Sequence, residues 1–102
     1  VKHHELVQHI IRTAAELGLL AHYCARSEFC VGNRGLPDLI IAGPRGMILA
    51  EIKTGSGDLT AEQDLWVWMI AQSDQKRGVV WRENHWETDI RKALTMIADP
   101  GT

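Results

Sequence analysis

Apolar side chains recur at Leu6, Val7, Ile10, Ile11, Ala14 and Leu17, the spacing of one face of a helix over residues 3–17. Gly18 follows as its stop, because glycine takes the left-handed conformation that ends many helices. Residues 19–29 lose that period and carry Tyr23, Cys24 and Phe29, which predicts a first strand; His22, Arg26, Ser27 and Glu28 turn its later part toward solvent or a sheet edge. A glycine-containing loop over residues 31–36 precedes two β-rich apolar runs, Leu39 to Ala42 and Met47 to Ile52. The segment Gly43-Pro44-Arg45-Gly46 separates them, as in a hairpin. Thr54-Gly55-Ser56-Gly57-Asp58 reads as a polar loop, and Thr60-Ala61-Glu62-Gln63 as a capping box opening a helix that runs to about Ser73. Within it Leu65, Trp66, Val67, Trp68, Met69 and Ile70 follow in succession, so that helix is apolar nearly all round and expects cover on more than one side. A short buried strand over Gly78 to Arg82 and a final helix from about Thr88 to Ala98, with Ile90, Ala93, Leu94 and Ile97 on one face, complete the chain.

The order α-β-β-β-α-β-α predicts an α/β (α+β) architecture, a mixed sheet flanked by helices. Its hairpin is antiparallel, and the last strand, reached through a helix, pairs in parallel by a crossover. With Pro44 and Arg45 at the hairpin tip, paired residues have numbers summing to 89, which sets Asp38 opposite Glu51. Alternation then puts Glu51 and Lys53 on one face and Ile48, Ala50 and Ile52 on the other. Opposed carboxylates repel at that separation, and a hard divalent cation with oxygen ligands would compensate them. Asp38 and Glu51 are therefore candidate metal ligands, with the backbone carbonyl of Ile52 as a further donor. A plainer reading also exists, in which a Glu-x-Lys pair is solubilising charge, and a one-residue slip in register would separate the carboxylates.

Pro37-Asp38 followed by Glu51-Ile52-Lys53 resembles the PD-(D/E)XK nuclease signature. The longer strings GLPDLI and EIKTGSGDLTAEQ are similar to its VRR-NUC (virus-type replication-repair nuclease) branch. The resemblance runs from about Glu5 into the last helix. It implies a restriction-endonuclease-like core and a Mg²⁺- or Mn²⁺-dependent endodeoxyribonuclease. Oxygen donors suit those ions and argue against zinc. Lys53 would orient or deprotonate the attacking water, or stabilise charge on the phosphate in the transition state. By the same resemblance Glu5, in the first turn of the first helix, helps complete the metal site directly or through water, although its wheel position lies off the apolar stripe. Gln63 has two roles open to it, the capping residue that the sequence pattern requires and a group near the active site that the resemblance implies. Where some relatives carry a tyrosine four residues after this glutamine, this chain has Val67. Stand-alone members of such a family imply branched DNA, Holliday junctions among it, as the substrate, and a homodimer as the working form. Trp66 and Trp68 would be natural anchors of that dimer's interface, the alternative being a tryptophan-rich core covered by the fourth strand.

Composition changes this picture in one respect. A formal net charge of -2 speaks against a tight nonspecific DNA binder, so contacts would come from local cations: Arg34, Arg45, Lys53, Lys76 and Arg77. Length 102 fits one domain over residues 1–102. Cys24 and Cys30 match no strong zinc spacing, and His3, His4 and His9 lack a matching ligand set elsewhere. No apolar run approaches the roughly 20 residues of a membrane span, and no signal peptide is expected before the first helix, so the expected location is the cytoplasm, that of the host if the chain is viral. Rival readings are a nuclease module acting on flaps or ends within a larger replication complex, a non-catalytic nucleic-acid-binding domain, and a chance match on an unrelated α/β domain.

Overall fold

The computed structural model describes residues 3–24, 32–55, 57–72 and 76–98, with the side chains of 76–78 excepted. Helix α1, His3–Glu16, buries Leu6, Val7, Ile10 and Ala14. It ends as the sequence predicts: Gly18 adopts φ 76°, and the N–H groups of Gly18 and Leu19 donate to the carbonyls of Ala15 and Ala14 at 3.1 and 2.8 Å. Those bonds satisfy carbonyls that the helix end would otherwise leave unpaired. Leu17, expected on the apolar stripe, falls beyond the last turn and is exposed.

Among the described residues four strands form one sheet in the order β1-β2-β3-β4: Leu20–Tyr23, Leu39–Gly43, Gly46–Ile52 and Lys76–Trp81. The first two junctions are antiparallel and β3 pairs with β4 in parallel, across the helix α2, Ala61–Ala71. The hairpin register is Leu39↔Ala50 through Gly43↔Gly46, the expected sum of 89. Strand β1 is shorter than its β-rich composition suggests; it stops at Tyr23, and the expected continuation through Arg26, Ser27, Glu28 and Phe29 lies outside the described residues.

A single apolar cluster joins α1 to one face of the sheet and to α3, Arg91–Ala98. Ile48, Ala50 and Ile52 face it from β3, Leu39 and Ile41 from β2, and Trp81 from β4. The chain reaches α3 by a 3₁₀ turn, Glu83–His85, and a π-helical turn, Trp86–Ile90, where a helix starting at about Thr88 was expected. Trp86 there stacks on His9 of α1 with ring centroids 3.8 Å apart, which fixes the entry to α3 against α1. Helix α2 covers the other face, above the end of β3 that carries Glu51. Only Ile70 of its apolar run is buried; Leu65, Trp68 and Met69 are 54%, 57% and 55% exposed. The tryptophan-rich core is thus not what α2 builds within one chain.

Candidate active site

Glu51 is the one charged residue among the buried side chains of the described residues, 2% exposed. The register that buries Ala50 and Ile52 on one side turns Glu51 to the other, and the extension of the ladder beyond Leu39↔Ala50 brings Asp38 opposite it. Ile52 N–H points at Asp38 Oδ2, 3.4 Å away, and Asp38 C=O accepts from Cys24 N–H at 2.9 Å, so both neighbouring strands hold this residue. Lys53 Nζ lies 3.9 Å from Glu51 Oε2, and the Lys53 N–H donates to Trp81 C=O at 2.9 Å. Two carboxylates and an ammonium therefore converge at the open end of the hairpin.

Gln63 joins them from α2. Its backbone N–H donates to Thr60 Oγ1 at 3.1 Å, its Oε1 accepts from Thr60 N–H at 2.9 Å, and its Nε2 donates to Glu51 Oε2 at 3.0 Å. Capping and site contact are both made by one side chain, since its amide oxygen serves the cap and its amide nitrogen the carboxylate. Gly35 permits this approach. It adopts φ 94°, and a Cβ there would stand 2.4 Å from the backbone carbon of Glu62 and 2.7 Å from the nitrogen of Gln63.

Burial pushes the Glu51 carboxyl up to about 7, the charge of Asp38 pushes the same way, and Lys53 opposes them. Its Oε1 is buried with no hydrogen-bond partner among the described residues. A buried acceptor left without a donor is costly, and an oxygen beside a second carboxylate is a position that a hard cation would satisfy. No group of three His, Cys, Asp or Glu side chains is gathered for a metal among the described residues. The donors on offer are thus Asp38 and Glu51, which fits Mg²⁺, an ion that keeps several waters and takes one or two carboxylates plus substrate phosphate.

The other expected residues divide. Glu5 is exposed on the first turn of α1 and is not gathered with the carboxylates. His3 reaches the site instead, its Nε2 3.5 Å from Asp38 Oδ2, and Tyr23 lies beside it with ring centroids 6.0 Å apart. Burial raises the Tyr23 hydroxyl above its ordinary value, and Asp38 and Glu51 add to the effect. The signal for His3 was present: it precedes Leu6, Val7 and Ile10 by three, four and seven residues, on the buried stripe that Glu5 misses. Tyr23 was legible only through its register opposite Leu39, the neighbour of Asp38.

Arg34 is exposed, and its backbone carbonyl accepts the Trp66 indole N–H at 2.8 Å, which ties the segment before Asp38 to α2. Arg45 sits at the hairpin tip, about 20 Å along β3 from Glu51 at the usual rise per residue. Lys76 and Arg77 pair with Met47 and Ile48, about 10–13 Å from Glu51 by the same measure. The hairpin tip with Arg45 and the start of the parallel β4 with Lys76 and Arg77 thus lie toward the end of the sheet away from Glu51.

Among solved structures the chain is similar to Hjc, a Holliday junction resolvase from the archaeal hyperthermophile Archaeoglobus fulgidus. The TM-score is 0.53 at 17% sequence identity, over 78% of this chain and 67% of that one. The likeness is one of fold, a four-stranded mixed sheet flanked by helices. Asp38, Glu51 and Lys53 stand on its hairpin, and Gln63 on the helix that follows. No family model matches the chain, and no curated protein sequence matches it either.

Proposed function

We propose that this chain is a metal-dependent endodeoxyribonuclease of the PD-(D/E)XK kind, related to the virus-type branch and selective for branched DNA such as Holliday junctions. The observation that carries the reading is Glu51: a carboxylate buried opposite Asp38, bonded to Gln63 and near Lys53, with one oxygen left without a partner among the described residues. Such a group destabilises the protein that carries it, and a divalent cation removes the cost. The likeness in fold to a protein described as a Holliday junction resolvase supports branched DNA as substrate.

Asp38 and Glu51 would hold Mg²⁺ or Mn²⁺, with the Ile52 carbonyl as a further donor. The bound ion would supply Lewis-acid stabilisation of phosphate charge and a lowered pKa for water. Lys53 orients the attacking water and offsets charge on the phosphate oxygens as the water oxygen bonds to phosphorus and the bond to one bridging oxygen breaks. The leaving oxygen takes up a proton, and the proton lost by the attacking water passes to solvent. Gln63 holds Glu51 Oε2 in place, and Arg34, exposed four residues before Asp38, is the cation best placed to meet a DNA backbone. The sequence carries no recognisable DNA-reading motif such as a helix-turn-helix or zinc finger, so recognition would rest on backbone contacts and DNA shape rather than base contacts.

The test is cleavage of a labelled four-way junction beside flap and linear duplex DNA, with Mg²⁺, Mn²⁺ or EDTA. Metal-dependent nicking of the junction is expected, with Asp38→Ala and Lys53→Ala each lowering the rate at least about 100-fold. Cutting of flaps or linear DNA alone would discard the junction preference and keep the site. A folded protein that cuts none of them would end the nuclease reading.

A further inference from the structure

One connection carries two arms of the site. The chain leaves β3 at Lys53 and enters α2 after Thr60, and both ends of this connection act on the same atom. Lys53 Nζ is 3.9 Å from Glu51 Oε2, and Gln63 Nε2 donates to that oxygen at 3.0 Å. Between the ends stand Gly55, at φ 69°, and Gly57. Glycine gives a connection many conformations, so such a loop left to itself would fix neither end.

Two side chains that follow β4 hold it. Arg82 Nη1 donates to Gly55 C=O at 3.2 Å and Nη2 to Gly57 C=O at 2.8 Å, while Glu83 Oε1 accepts the Gly55 N–H at 3.0 Å. A guanidinium presents its donors in a rigid fork, which suits two carbonyls at once; an ammonium is a point donor. The backbone N–H of Glu83 itself, and then that of Gly55, hold the Glu83 carboxyl below its ordinary value. Trp81, the residue before Arg82, accepts the Lys53 N–H, so the clamp continues the β3–β4 pairing past the end of the strands.

We propose that Arg82 and Glu83 are positioning residues, which pin the connection at Gly55 and Gly57 and thereby keep Lys53 and Gln63 together on Glu51. The catalytic consequence rests on the nuclease reading above; the contact itself does not. A purely structural clamp would lower stability and leave the neighbours of Glu51 where they are.

The test compares wild-type protein with Arg82→Gln, Arg82→Lys and Glu83→Ala. In metal-free protein, NMR follows amide exchange at Gly55 and the side-chain amide resonance of Gln63. In Mg²⁺, steady-state cleavage of branched DNA separates kcat from KM. In Arg82→Gln the Gly55 amide is expected to lose protection and the Gln63 side-chain resonance to move to its solvent-exposed position. The kcat should fall about 100-fold, the loss a displacement near 1 Å can cause, with KM little changed. Arg82→Lys, able to bond one carbonyl, should fall between, and the melting temperature should drop by only about 5 °C in each variant. Release of Gly55 with the Gln63 resonance and kcat unmoved would overturn the proposal. If wild-type protein cuts no DNA, the nuclease reading fails and the NMR pair decides alone: Gln63 moving with Gly55 supports the clamp, and Gln63 staying overturns it. Should Arg82→Gln fail to fold, Glu83→Ala gives the same comparison.

Discussion

Glu51 is held at odds with its surroundings. Its carboxyl is raised from 4.5 to about 7, by burial first and by Asp38 second. A raised carboxyl pKa means that the folded state binds the proton more tightly than the unfolded state does. Stability from this group is therefore full below about pH 4.5 and is lost as pH rises through about 7. The expected loss between pH 5 and pH 8 in EDTA is of the order of 2 kcal/mol, and Glu51→Gln removes it. Urea unfolding of the two proteins at both pH values measures the difference. Added Mg²⁺ should restore wild-type stability at pH 8 and leave Glu51→Gln nearly unchanged, because the ion would bind the deprotonated carboxylate. Equal pH dependence in the two proteins would remove Glu51 as the strained group. The carboxylates themselves were legible in sequence because the turn at Pro44 and Arg45 fixed their register. His3 shared the buried stripe of α1 in sequence, but that it and Tyr23 meet Asp38 was not legible, since what brings them there is the packing of α1 and β1 beside β2, a tertiary fact.

At the scale of elements the site depends on how closely α2 approaches the segment before β2. Gly35 lies against the backbone of Glu62 and Gln63, and backbone atoms within a capped helix turn cannot swing aside as a flexible side chain could. Gly35→Ala combines that collision with a positive φ that L-residues rarely adopt, so a loss of about 2–3 kcal/mol is expected. Calorimetry should show a melting temperature lower by about 10 °C or more. Cleavage should fall further than stability predicts, because Gln63 would be displaced from Glu51. A variant as stable as wild type would show that the contact relaxes freely. The helix periods, the capping box and the crossover to β4 were all readable, because each follows from local pattern or connection length. The end of β1 and the π turn at Trp86 were not; Trp86 stacks there on His9, a contact that neither residue's neighbours in sequence announce.

For the whole molecule the open question in the sequence was what covers α2. Periodicity states that Leu65, Trp66, Val67, Trp68 and Met69 are apolar, but it cannot say whether the cover belongs to the same chain. In the fold Trp66 is half-buried and bonded to Arg34, while Leu65, Trp68 and Met69 form an exposed stripe at spacings of three and four residues. A four-way junction is resolved by nicks in two strands related by a two-fold axis. On the proposed reading Asp38 and Glu51 form one cutting site, so symmetric cutting of a junction would require two copies. The stripe is where a second copy would dock, with Trp68 as the anchor. Sedimentation velocity is expected to show dimers of the wild type and monomers of a Trp68→Lys, Met69→Lys variant. Because both substituted residues are exposed and outside the core cluster, the monomer should stay folded. It should keep metal-dependent cutting of single strands but lose paired nicking within one junction. A wild type that stays monomeric at high concentration, on and off junction DNA, would reject this interface and return α2 to a partner of another kind.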